Sequence, residues 1–343
     1  MGNNPFVNVL KIAPFRNLWL SQLISQVSLN LLFFSLMLRL YEMTHSNAAV
    51  SLLVLFVMIP NIALGAFAGV LVDRWGRKKV MFWSHFLRFL VVLLFVVSSE
   101  SLGWVYFLVL LINIITQFFF PAEAAMIYEM VKDKKLLLTA NSLFSLTFFS
   151  SVILGNVLAG PALQILGLTN TFFLVALSFL VASAFIFKLP RNGHKDSPVK
   201  FNQLLSDFMF GLDYLYKSPN VRRGIVFLGI SQISIGILGA IAPGFGDKVL
   251  HLGTAGVSLL IMAPAAAGMV LGGLVVGQYF RKTPPAVLIK LGFLVAGAAL
   301  IIYSQLLPHF LLLILVGAAN AFLDIPVNTI IQENTPEEIR SRV

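Results

Sequence analysis

The sequence contains no cysteine, which excludes a disulfide-stapled fold and a zinc site built on thiolates. Charge is equally scarce: 11% of the 343 residues are charged, against about 25% in a soluble domain. So few charges cannot cover a water-facing surface of this size. An ordinary soluble enzyme, a nucleic-acid-binding domain and a disordered chain are therefore excluded. The 24 Lys and Arg outnumber the 14 Asp and Glu. Such an excess suggests nucleic acid in a soluble protein, but here the basic residues fall between apolar runs and follow topology. Histidine is sparse too: His45, His85, His194, His251 and His309 are scattered over loops and segment ends with no metal or triad spacing. No metal, cofactor or nucleic-acid partner is expected, and no G-x-x-x-x-G-K-[ST] loop is present to power an ATP-driven pump. Apolar residues abound, with 58% hydrophobic and a mean hydropathy of +0.91. The solvent for most of this surface must be lipid.

Crossing a bilayer takes about 20 mainly apolar residues. Ten segments qualify: 17–40, 49–71, 80–98, 103–125, 138–161, 169–188, 224–243, 255–279, 286–305 and 308–329. They are continuously apolar rather than alternating, so they are helices and not barrel strands. The first exceeds a signal-peptide core and lacks a small-residue cleavage site, so it is read as a retained span. With the N-terminus in the cytoplasm, twenty of the 24 basic residues lie in cytoplasmic segments and only Lys248 in an outside loop. The positive-inside rule therefore places both ends of the sequence inside, in a plasma (inner) membrane.

Residues 189–223 form a hydrophilic cytoplasmic linker opened by Pro190-Arg191-Asn192-Gly193. Within it, the spacing of Phe201, Leu204, Leu205, Phe208 and Leu212 predicts an amphipathic helix on the membrane face. The linker divides the chain into a six-helix bundle, 1–188, and a four-helix bundle, 224–343. An internal repeat relates them. Gly69 to Lys78 closes segment 2, and Gly272 to Lys282 closes segment 8; Pro121 followed by Glu129 at the end of segment 4 matches Pro326 followed by Glu333 at the end of segment 10. The offset spans six segments, so two parallel six-helix halves are implied. Six and six make twelve, and the sequence stops at Val343 after ten, so it is expected to be a truncated piece of a longer chain.

Residues 69–79 read Gly-Val-Leu-Val-Asp-Arg-Trp-Gly-Arg-Lys-Lys. This resembles the segment 2–3 signature of the major facilitator superfamily, with Gly69, Leu71, Asp73, Arg74, Gly76, Arg77 and Lys78 all in place. Phe15 to Trp19, Pro60, Leu87-Arg88 and Leu138 to Ser142 resemble its drug-efflux-like branch, which includes macrolide exporters. The resemblance implies an all-α membrane fold of two helix bundles, ten of the family's twelve helices being present. It also implies that Gly69, Asp73, Arg74, Gly76, Arg77 and Lys78 form a conformational gate that latches the halves in the outward-facing state. Efflux members carry G-P-x-x-G-G in segment 5. Here Gly155, Gly160 and Pro161 are present and the trailing Gly-Gly is not, so that stretch is either a helix-5 kink serving exchange or ordinary packing.

Polar residues in spans should face a bundle interior or a cavity. Gln22, Gln26 and Asn30 lie at i, i+4, i+8, as do Asn320, Asp324 and Asn328; Asn113 and Gln117 lie four apart, and Gln232 sits between Ser231 and Ser234. Each set occupies one helix face. In the family these four segments line a central substrate cavity; the alternative is that the amides join helices. Asp324 is the one acid well inside a segment and is the proton-coupling candidate, or else a salt-bridged acid near the interface. Glu123 is read as a partner of the basic segment 2–3 loop, Arg88 as reaching the cytoplasmic interface or an acid, and Arg39 as snorkelling outward or pairing with Glu42.

The resulting expectation is a secondary transporter working by alternating access, a proton-driven exporter of a small amphipathic compound. Its partners are the bilayer, that compound and protons. The rival readings are a non-transporting remnant and, weakly, a membrane enzyme.

Overall fold

The computed structural model describes residues 5–98, 101–131, 134–190, 209, 214, 216–280, 283–305 and 310–334. The side chains of Gly69, Asp73, Arg74 and Asn328 lie outside the described residues, as does the amphipathic helix expected over 201–212.

Continuous apolar runs leave every backbone group to be satisfied within its own segment, and the described residues form helices without strands. In chain order they are α1 (Pro5–Leu10), α2 (Ala13–Thr44), α3 (Asn47–Trp75), α4 (Arg77–Ser98), α5 (Leu102–Met130), α6 (Lys134–Phe187), α7 (Pro219–Lys248), α8 (Thr254–Gly256), a π segment (Val257–Met262), α9 (Ala263–Tyr279), α10 (Pro285–Gln305) and α11 (Phe310–Asn334). The 32 residues of α2 span about 48 Å at 1.5 Å per residue. That exceeds the ~30 Å hydrocarbon core, so the helix runs past both ends of the expected 17–40.

Local chemistry sets the ends. Pro14 and Pro219 sit in the first turns of α2 and α7, where their missing N–H costs nothing. His45 closes α2 in the left-handed region, φ 49°, with its N–H on Tyr41 O at 2.7 Å. Gly76 separates α3 from α4 at φ 81°, a conformation that favours glycine over any L side chain. The expected segments 5 and 6 are two helices within the stretch α6, divided at Gly167, where the backbone leaves helical geometry (φ 75°, ψ 169°). Pro161 lies inside helical backbone, six residues earlier. The π segment was not expected: the Ala263 N–H bonds Ser258 O, five residues back, immediately before Pro264.

The chain divides into two compact units, 1–200 and 201–343. In the first, two apolar clusters stand at opposite ends of the bundle. One joins Leu29 to Leu40 of α2, Val91 to Phe95 of α4, Val105 to Ile115 of α5 and Phe172 to Phe179 of α6. The other joins Phe15 and Leu18, Val80 and Met81, Phe119 to Val131 and Ile186 of the same helices. Between them lies a buried polar layer: Ser21, Gln22, Ser25 and Gln26 of α2, Ser84, His85 and Arg88 of α4, Thr116 and Gln117 of α5, and Ser183 of α6.

In the second unit, small residues let α9 and α11 touch backbone to backbone. A Cβ at Gly317 would fall 1.8 Å from Ala265 O, and one at Gly272 2.6 Å from Ala318 O. Where lipid tails surround the helices, such van der Waals contact drives association.

Candidate functional site

The Gly76 turn fixes where the basic residues of the loop begin. Arg77 opens α4 and forms an ion pair with Glu129 at the end of α5. Lys78 donates to Phe187 O at 2.8 Å and to Leu189 O, and its ammonium lies 5.6 Å from the Phe187 ring centre. One loop thus ties the start of α4 to the ends of α5 and α6. Lys79 is exposed. Arg77 is therefore held by Glu129. Glu123, the partner expected from the sequence, is buried elsewhere.

The stripe residues of the first unit are placed on interior faces. Gln22, Gln26, Asn113 and Gln117 are buried, and Asn30 is half-buried. Asn113 Nδ2 donates to Val109 O at 2.9 Å and Asn30 Nδ2 to Gln26 O at 2.8 Å, each within its own helix. Gln117 instead bonds Asn61 of α3, joining two helices. Asn30 lies where α2 meets Gly155 of α6, and a Cβ on that glycine would come 2.5 Å from Asn30 Cβ. Gly155 therefore serves close helix packing, one of the two roles open to it. Gly160 is buried beside it, next to Pro161.

In the second unit, α7 and α11 bring three polar groups into a chain. Asn320 Nδ2 donates to Ser231 Oγ at 3.2 Å, and Ser231 Oγ donates to Asp324 Oδ1 at 2.7 Å. Ser231 is buried, Asn320 and Asp324 are half-buried, and Gln232 is exposed. The Asn320–Asp324 face of α11 is thus turned toward α7. Because α11 continues to Asn334, Asp324 lies ten residues from its end, deeper in the helix than the expected close of the segment at 329 would put it.

Sequence reasoning missed a second polar centre, in the first unit. Of the two places expected for Arg88, the interface or an acid, the first is excluded, because the side chain is 2% exposed. Its Nη1 is 3.3 Å from His85 Nδ1, its guanidinium lies 4.8 Å from the Phe119 ring centre, and it is within electrostatic range of Glu123. His85 Nε2 is 3.1 Å from Ser21 Oγ, which donates to Ala182 O. The signal was present: His85 and Arg88 are three apart in an apolar run and so share a face. Arg39 does lie by Glu42, at 3.9 Å. Among the described residues no cluster could hold a metal ion.

A family model described as Major Facilitator Superfamily matches residues 18–343. The chain is 27% identical over 330 residues to the uncharacterized MFS-type transporter YfiS of Bacillus subtilis, covering 90% of this chain and 76% of YfiS. It is 26% identical over 349 residues to the enterobactin exporter EntS of Escherichia coli, covering 98% and 82%. Among solved structures, the nucleoside transporter NupG has a similar fold, with a TM-score of 0.76 at 13% identity, covering 96% of this chain and 85% of that one. A bacterial homologue of the human lysosomal transporter Spinster, inward-facing, gives 0.72 at 16%, covering 100% and 78%.

Proposed function

The chain belongs to the Major Facilitator Superfamily, and from that premise we propose that this multi-pass membrane transporter exports a small amphipathic compound in exchange for protons by alternating access. The observation that carries the coupling is the Asn320–Ser231–Asp324 chain. It holds a carboxylate inside a membrane-spanning helix with a hydroxyl donor against it. An acid in that setting is costly unless it has work to do there. A proton entering from one side neutralises Asp324, and its release on the other side restores the charge.

The proposed cargo is read from the polar stripes of the spans. Gln22, Gln26, Asn30, Asn113, Gln117, Gln232, Asn320 and Asn328 offer hydrogen bonds without charge, among many phenylalanines. That surface suits an uncharged or lipophilic solute better than a phosphorylated one. Outward direction and the drug-efflux-like branch are supported by the similarity to a named exporter and by the Gly160-Pro161 pair. The two bundles, 1–188 and 224–343, rock about the linker 189–223. The gate residues Gly69, Asp73, Arg74, Gly76, Arg77 and Lys78 hold one end, and both ends of the sequence lie in the cytoplasm of a bacterial cell.

Everted vesicles bearing the protein and an acridine dye test this reading. Adding the transported compound to respiring vesicles should release quenched dye as protons leave. A compound that accumulates with no change in the proton gradient would contradict exchange.

A further inference from the structure

His85 and Arg88 lie in the polar layer of the first unit with the buried Glu123 within electrostatic range of Arg88, and the gate and the stripes use none of them. Arginine can only donate hydrogen bonds. The contact from Arg88 Nη1 to His85 Nδ1 therefore makes Nδ1 the acceptor and puts the ring proton on Nε2. Ser21 spends its own proton on Ala182 O, so its oxygen is free to accept from that Nε2–H. The bonds run in one direction: Arg88 to His85, His85 to Ser21, Ser21 to the α6 backbone. The chain closes with His85 neutral.

What the chain leaves over is telling. Arg88 Nε and Nη2 have no hydrogen-bond partner, and neither does Glu123 Oε1, although all three are buried. Glu123 itself is 5% exposed. Arginine and glutamate thus stand within electrostatic range with unused donors on one and an unused acceptor on the other. A buried carboxylate without donors is very costly. The same group protonated is tolerable. An arginine turned from His85 to Glu123 would satisfy the ionised form.

We propose that Glu123, with Arg88 and His85, forms a proton-binding site inside the first unit, separate from Asp324. With a proton on Glu123 the acid is neutral and Arg88 bonds His85, as observed. When the proton leaves to water, the carboxylate takes the guanidinium and His85 Nδ1 is freed. No other bond is made or broken, and the charge of the cluster changes by the one proton.

The surroundings leave these groups to one another. Among the described residues α2 brings the neutral Ser21 to His85, and Gln22 Oε1 on the same helix is likewise buried without a partner. From α6 come Phe179, Ala182 and Ser183, all uncharged. On α5 the next acid, Glu129, is engaged by Arg77. The proposal rests on the proton-exchange reading.

The test is infrared difference spectroscopy on the purified full chain in lipid nanodiscs, comparing acid with alkaline buffer. A band of a protonated carboxyl group should appear, survive Asp324→Asn, and vanish in Glu123→Gln. Glutamate labelled with carbon-13 should shift that band in the wild type and leave it unshifted in Glu123→Asp, which keeps a carboxyl group at the position and answers the question even if Glu123→Gln fails to fold. A band unaffected by both Glu123→Gln and the label overturns the proposal. A glutamate band that persists in a protein whose transport ignores proton gradients would overturn the exchange reading and leave this site standing.

Discussion

At Gly155 the backbone of α6 lies so close to α2 that a β-carbon there would sit 2.5 Å from Asn30 Cβ, 2.7 Å from Leu31 N and 2.8 Å from Val27 O. Two of those three atoms are backbone, so neither helix can yield locally. Gly155→Ala should therefore lower thermal stability in detergent, by about 1–3 kcal/mol as for other overpacked sites. Gly103→Ala, where a Cβ meets nothing within 4 Å, is the control and should leave stability unchanged. Equal melting temperatures for both variants would contradict the packing.

The Arg77–Glu129 pair joins α4 to α5 with side chains that are 19% and 25% exposed. A double-mutant cycle on Arg77→Gln and Glu129→Gln should give a coupling of about 0.5–3 kcal/mol, the range for residues in contact. Additive losses would mean that the pair holds nothing.

The ten spans were legible because each is a continuous apolar run. Their details were less so. Prolines are tolerated in membrane helices, so Pro161 stays within helical backbone, and the break falls at Gly167, inside the gap expected between 161 and 169. The π segment Val257–Met262 has no periodicity of its own to reveal it. At the site, spacing put Asn320 and Asp324 on one face, but choosing Ser231 as their partner needed the rotation of α7 about its axis. The same ignorance of rotation assigned the loop to Glu123, when Glu129 meets Arg77. A single Arg in an apolar run reads as a side chain that reaches for the interface or for an acid. Only the fold shows Arg88 enclosed by Phe119, Phe179 and His85.

The 343 residues contain no cysteine, so single-cysteine labelling of this chain needs no cleared background. A cysteine at Ser46 should react with an impermeant maleimide from outside intact cells. One at Asn192 should react only after permeabilisation. The reverse pattern would invert the orientation.

Asp73→Asn should slow turnover while leaving folding and substrate affinity largely intact, because the role proposed for Asp73 is conformational. Transport rate and equilibrium binding measured on one preparation separate the two effects. Turnover at the wild-type rate would reduce Asp73 to a residue of topology alone.

The most direct test of the account is transport by Asp324→Asn in proteoliposomes, measured with and without an imposed proton gradient. The wild type should drive its compound against a concentration difference only when the gradient is present. In Asp324→Asn that driven flux should fall by at least about tenfold, while exchange of labelled for unlabelled compound without a gradient continues. Gradient-driven flux at the wild-type rate in this variant would contradict the account.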